Sequence, residues 1–275
     1  MLDSKSGINV IYSSEPLPQL KLPFLICGFP GSGYVGKMAV DHLIEELHAK
    51  HLVDIYSASF PPQVMIRADG TAELMKNSIF YSNVSQNGSG NNENNNTGIL
   101  LLTGDSQPTN PDSEYILANE ILDIASKFGT QHVFTLAAYI TGVFVDKPRI
   151  FGTATDVNLI KSFQDLDISV MDAGSITGMN GVIIGVAKLR GMRGTCLLGE
   201  TSGYVVDAKA SKSLLETLLR IVDIKISMTS LEKRAKDTEM LIQNIEQQMA
   251  GRTGRIGEGQ QQATQGKPPN MGYIS

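Results

Sequence analysis

Short apolar runs recur from Leu22 to Leu198, and between them apolar residues fall at helical spacing. That alternation predicts a sheet covered by helices on its faces. Strands are expected at Leu22 to Phe29, Val53 to Ala58, Val64 to Ala68, Thr71 to Met75, Gly98 to Thr103, His132 to Ala137, Ile168 to Met171 and Thr195 to Leu198. Helices are expected at Val35 to Ala49, Asp112 to Phe128 and Val182 to Leu189. Pro111, Asp112 and Glu114 suit the free N–H groups of a first helical turn, and Gly129 suits a C-terminal stop. Asp69-Gly70 tolerates the positive φ of a type I′ turn, so the strands on either side are expected to form a hairpin and the sheet to be mixed.

The C-terminal part follows a different pattern. One helix is expected from Leu214 to Met249, roughly 54 Å long at the rise of an α-helix. Its first half is apolar on nearly every side and should pack into the domain. Its second half narrows to a seam that includes Met228, Leu231, Ala235, Ile242, Ile245 and Met249, flanked by charges, the 4-3 spacing of a coiled coil. Those six residues are the expected oligomer interface. Residues 251–275 are rich in glycine and glutamine and are expected to be a disordered tail ending in Tyr273-Ile274-Ser275. The run from Ser85 to Asn96 has no apolar side chain and reads as a solvated insertion. The division is therefore an α/β domain over 1–213, a helix over 214–250 and a tail over 251–275.

Composition narrows the function. Of 275 residues, 41% are apolar and 19% charged, and the net charge of -5 argues against a nucleic-acid backbone as partner. Cys27 and Cys196 each sit in an apolar run, which fits buried reduced thiols better than a disulfide. The start Met1-Leu2-Asp3 lacks a signal peptide's basic end and apolar core, and no apolar stretch approaches about 18 residues. A cytoplasmic protein with no membrane association is expected, and the Asn-x-Ser/Thr triplets at Asn83, Asn87 and Asn95 then carry no glycan.

The most conspicuous local chemistry is Cys27-Gly-Phe-Pro-Gly-Ser-Gly-Tyr-Val-Gly-Lys-Met38, after a strand and opening a helix. Gly31, Gly33 and Gly36 fit a dinucleotide fingerprint, and Gly31, Gly36 and Lys37 fit a P-loop. Each template fails at its next requirement. No acidic residue ends the following strand, and Met38 stands where a P-loop needs a hydroxyl for magnesium. Two readings stay open: a tight turn, or an anion-binding loop formed by Gly31, Ser32, Gly33, Gly36 and Lys37. Ser175, Thr177 and Asn180 are candidate helix caps. The segment Glu200 to Tyr204 reads as turn residues, since no histidine has a claim on Ser202. No catalytic residue, metal ligand or cofactor is expected.

Taken together, Gly28-Phe-Pro-Gly-Ser-Gly-Tyr-Val-Gly36, Leu102-Thr-Gly-Asp-Ser-Gln-Pro108, Leu136-Ala-Ala-Tyr-Ile-Thr-Gly142, Gly178-Met-Asn-Gly-Val-Ile-Ile-Gly185 and Leu198-Gly-Glu-Thr-Ser-Gly203 resemble the proteasome assembly chaperone family. The likeness is to its chaperone-two branch and archaeal homologues, and it spans Leu22 to Met249. It implies a three-layer α/β/α domain, phosphorylase-like in shape but not an enzyme, that assembles into homo-oligomers and helps proteasome α-subunits form rings. Archaeal members often end in a hydrophobic-Tyr-any tripeptide that inserts between neighbouring α-subunits. Here Tyr273 is third from the end and Ile274 takes the tyrosine's place; Tyr273, Ile274 and Ser275 are the candidate partner-binding residues. The alternative is a phosphate- or nucleotide-binding protein or enzyme related to nucleoside phosphorylases, using the Gly31 to Gly36 loop.

Overall fold

The computed structural model describes residues 7–13, 16–85, 96–237 and 240. Its elements run β1 (Ile8–Tyr12), β2 (Phe24–Gly28), α1 (Val35–Glu46), β3 (Lys50–Ser57), β4 (Val64–Ile66), β5 (Ala72–Leu74), β6 (Asn77–Ser85), β7 (Asn96–Gly104), α2 (Pro111–Lys127), β8 (His132–Ile140), β9 (Ile150–Ala154), α3 (Val157–Lys161), β10 (Ile168–Val170), α4 (Gly178–Leu189), β11 (Arg193–Thr201) and α5 (Ala208–Val222). Nine strands form one mixed sheet in the order β1-β3-β6-β7-β2-β8-β11-β9-β10. Its centre, β7-β2-β8-β11, is parallel, while β1, β3 and β6 extend it antiparallel on one side.

The centre is parallel because both its faces are covered, and side chains on a strand alternate between faces. Leu25 and Cys27 of β2 join Leu100, Leu102, Ile121 and Ile183 beneath α2 and α4. Ile26 points the other way, to Val35, Leu43, Phe134, Leu214 and Leu218 beneath α1 and α5. The result is the expected α/β/α layering. Both thiols are free and buried; desolvation raises each, Cys196 to about 12. Among the described residues no helix is long and apolar enough to cross a membrane.

α2 starts one residue before its expected position, with Pro111 in the first turn and Asn110 Oδ1 accepting from the Ser113 N–H. The hairpin β4–β5 forms, but as a separate two-stranded sheet. Its turn is longer than type I′, for Arg67 N–H donates to the Thr71 carbonyl and only Gly70 takes a positive φ, +84°. Strands β1, β6 and β9 lack the continuous apolar runs that mark the central strands. Ser85 pairs with Asn96, so the expected insertion reduces to 86–95, which lies outside the described residues.

The single helix expected from Leu214 is interrupted. α5 ends at Val222, Asp223 adopts a left-handed conformation (φ +55°), and helix resumes only over 229–237. The second piece folds back on the domain. His42, buried in α1, donates from Nε2 to the Ser227 carbonyl (2.9 Å), and its Nδ1 accepts from the Ser230 hydroxyl (3.1 Å). Leu231 and Ala235 enter the core beneath α1 and α5, and Met228 packs against it. Three residues of the seam are thus engaged by the chain's own fold. Ile242, Ile245 and Met249 lie outside the described residues, as does the tail.

Candidate functional site

The carboxyl ends of β2, β8 and β11 open on one face of the molecule, where ligands and partners of α/β sheets commonly bind. The glycine loop joins β2 to α1 there. A Cβ on Gly36 would stand 1.9 Å from the Leu136 carbonyl oxygen of β8, and one on Gly28 would stand 2.4 Å from the Gly36 carbonyl. These glycines let the first turn of α1 lie directly on strand backbone. Lys37 Nζ is held by Asp41 (3.0 Å) and donates to Thr103 Oγ1 (3.0 Å), while Thr103 Oγ1 donates to Asp41. Of the five residues of the candidate anion loop, Gly36 serves packing, Gly33 a positive-φ turn (+63°), and Lys37 is paired within the protein; Gly31 and Ser32 face a cavity.

Tyr34 precedes α1 in a left-handed conformation, φ +53°, ordinarily left to Gly or Asn. It leaves its ring 47% exposed. Val143, Tyr204 and Val206 are also exposed on the loops that follow β8 and β11, with Tyr204 75% accessible. The rings of Phe144 and Tyr204 lie 6.4 Å apart. The Asp207 N–H donates to the Gly33 carbonyl, and Thr201 Oγ1 donates to Asp207, so the loop after β11 is tied to the glycine loop.

Glu200 fixes the loop after β8. Its buried carboxylate accepts from Arg149 Nε (3.0 Å), Nη2 (2.9 Å) and the Arg149 backbone N–H (3.1 Å). These bonds from Arg149 hold the Glu200 carboxyl below its usual range against the opposing effect of burial. A carboxyl depressed in the folded state stabilises above its unfolded pKa, about 4.3, and that contribution is lost as pH falls through the folded value. Urea midpoints are expected to drop as pH falls below the unfolded value of about 4.3, and Glu200→Gln should flatten part of the drop. Parallel curves for the two proteins would assign the acid sensitivity to other carboxylates.

Beside this face a cavity of about 130 Å³ is bounded by the ends of β8 and β11, the glycine loop and the start of α4. The expected caps of α4 do not act as such: Thr177 occupies the N-cap position without a side-chain bond. Gln107, from the loop after β7, accepts from the Met179 N–H (2.9 Å) and donates to the Pro30 carbonyl (2.7 Å). Nothing local marks Gln107, because its partners lie far away in sequence.

The histidines sit elsewhere. His51 Nδ1 lies 2.6 Å from the Ser13 hydroxyl and its Nε2 2.7 Å from Asp54, a Ser-His-Asp chain in outline. It lies on β3, next to the edge strand β1, and Asp54 also accepts from Lys76 (2.9 Å) and Ser78 (2.5 Å). That arrangement ties β1 and β6 to β3. Burial pushes His132 down to about 4, and its ring stacks on Phe134 in the sheet. Among the described residues no group of three or more His, Cys, Asp or Glu residues could hold a metal.

Comparison with known proteins agrees with this architecture. The PAC2 family model matches residues 25–246. An uncharacterized protein of Methanocaldococcus jannaschii, MJ1210, is 32% identical over 257 residues, covering 93% of this chain and 92% of its own. Among solved structures, Pyrococcus furiosus PbaB, described as an archaeal proteasome activator, superposes with a TM-score of 0.78 at 35% identity, covering 88% of this chain and 99% of that one. Pyrococcus furiosus PbaA, described as an archaeal homolog of proteasome-assembly chaperone, gives a TM-score of 0.69 at 25% identity over 91% and 96% of the two chains. On the extent of these matches, the chain belongs to the PAC2 family.

Proposed function

We propose that the protein is a proteasome assembly chaperone-like binding protein that grips proteasome α-subunits or related clients. The observation that carries this reading is the likeness over nearly the whole chain to PbaA, described as a homolog of proteasome-assembly chaperone, and to PbaB, described as a proteasome activator. The exposed Tyr34, Val143 and Tyr204 at the carboxyl ends of the sheet give such a partner an apolar surface. Tyr273, Ile274 and Ser275 supply a second contact, led by an aromatic ring and an aliphatic anchor. Ile242, Ile245 and Met249 join copies into a homo-oligomer, and several tails on one oligomer strengthen each other through effective concentration. The role is binding rather than catalysis, in the cytoplasm.

Surface-capture binding to assembled α-subunits tests both contacts. Tyr204→Asp is expected to weaken binding about tenfold, a loss of about 1.4 kcal/mol. Deleting Tyr273 to Ser275 should weaken it while leaving folding and oligomer mass intact, and Ile274→Tyr should strengthen it. Wild-type protein that is not retained by α-subunits would end the reading; equal affinities for all four proteins would place binding on another surface.

A further inference from the structure

We propose that the exposed face of the β4–β5 hairpin is the docking site for the apolar seam within residues 242–249 of a second copy of this chain, so that copies join head to tail. The hairpin is reversed for a surface ribbon, which ordinarily turns its polar side to water. Val64 stands opposite Leu74 and Ile66 opposite Ala72, so these four share one face, and all four are exposed. Val64, Ile66 and Leu74 keep 50%, 68% and 56% of their surface accessible. Met65, on the other face, packs against the core beneath α2 and α4. The ribbon is held in place: Arg67 Nε donates to Glu73 (2.7 Å), Arg67 Nη2 donates to Asp105 (3.4 Å), and Lys76 pairs with Asp54 (2.9 Å). Beside it lies a hollow of about 350 Å³, lined chiefly by Phe60, Pro61, Pro62, Val64, Leu74 and Met75. A contiguous apolar face of this kind marks a protein contact.

The seam is the matching surface, an inference that rests on the reading that Ile242, Ile245 and Met249 join copies. They fall at i, i+3 and i+7, one helical stripe about 10 Å long. Val64 to Ile66 covers about 7 Å of ribbon, and the hollow lengthens the face enough to seat the third side chain. None of these seam and ribbon residues is charged, so joining them removes apolar surface from water without stranding an ion. Direction decides whose seam it is. β3 runs parallel to β2, so the hairpin that follows it stands at the carboxyl edge of the sheet, beside Asp105. The helix over 229–237 heads the other way: Ser230 lies at His42 and Arg234 pairs with Glu45 (3.8 Å), so it follows α1 toward the amino edge, on the opposite face of the sheet. The nine residues of β7 set these edges roughly 30 Å apart. Residues 238–242 span at most about 18 Å. The seam of one copy therefore falls short of its own hairpin and meets a neighbour's. A patch at one end and a seam at the other make a heterologous contact, which repeats from copy to copy until a ring closes.

Cross-linking between two differently tagged, co-expressed full-length proteins tests this, one carrying Ile66→Cys and the other Ile245→Cys. Cys27 and Cys196 are buried, so a short bismaleimide reads the introduced thiols. A cross-linked pair containing both tags is expected, and neither protein alone should give one. Ile66→Asp should weaken self-association at least tenfold in light scattering, while Leu189→Asp, at an exposed leucine outside both surfaces, should leave the mass unchanged. Circular dichroism checks that the variants fold, and the cross-link decides even if Ile66→Asp does not. Absence of the mixed cross-link overturns the proposal, as does a folded Ile66→Asp protein with wild-type mass, or a single chain carrying both cysteines that links only within itself. With an oligomeric wild type these results remove the docking site alone; a monomeric wild type removes the homo-oligomer reading with it.

Discussion

Gly36→Ala is expected to destabilise the protein by about 3 kcal/mol, at the upper end of what overpacking a tight core costs. The added methyl would stand 1.9 Å from the Leu136 carbonyl oxygen, so backbone must move against backbone. α1 cannot withdraw from β8 without opening the core built on Val35, Leu43 and Phe134. Gly31→Ala, five residues earlier in the same loop, is the control. Its Cβ meets open space on an extended backbone, and the loss of unfolded-state freedom should leave stability equal or raised by a few tenths of a kcal/mol. Urea unfolding of the two variants separates the roles of these glycines. A loop that tolerates alanine at Gly36 would contradict the packing account.

Leu231→Ala should cost about 3 kcal/mol, within the range for a buried leucine. Leu231 is 0% exposed and lies in the core beneath α1 and α5, although its spacing belongs to a seam that reads as an intermolecular contact. The substitution should therefore lower the urea midpoint of the monomer, and it should speed amide exchange in the segment pinned by His42. Ile242→Asp tests association without touching the described core, through a fall in mass by light scattering. A Leu231→Ala protein with wild-type stability and reduced mass would return this residue to the interface.

The contrast at Leu231 shows where sequence reasoning stops. Periodicity identifies that a helical face is apolar, but not whether its partner is the same chain or another. The break at Asp223 carries no strong breaker: Asp is an ordinary helix residue by propensity, and the left-handed turn is set by tertiary contacts of Ile224, which is buried. The central strands were legible because burial on both faces demands continuous apolar runs, as at Leu25, Ile26 and Cys27. β6, Asn77–Ser85, has only the short run Ile79-Phe80-Tyr81 between polar Asn and Ser residues and was not marked by it. At the candidate site the glycine loop was visible but its chemistry was not. A glycine that admits a phosphate and one that admits a carbonyl of a neighbouring strand look alike until β8 is placed beside α1. Gln107 and Tyr204 acquire meaning only from residues distant along the chain.

The strand order also governs how the protein is made. β2 lies at the middle of the sheet, yet its neighbours come much later, with Phe24 paired to Ile99 on one side and to His132 on the other. At about 5–20 residues per second of synthesis, β2 emerges seconds before either partner exists. It is apolar on both faces, so during that interval it is a sticky nascent segment, and long-range pairing of this kind folds slowly. The strand cannot be shielded by β8 until most of α2 has also left the ribosome. The chain thus passes through an early stage in which its own central strand needs protection.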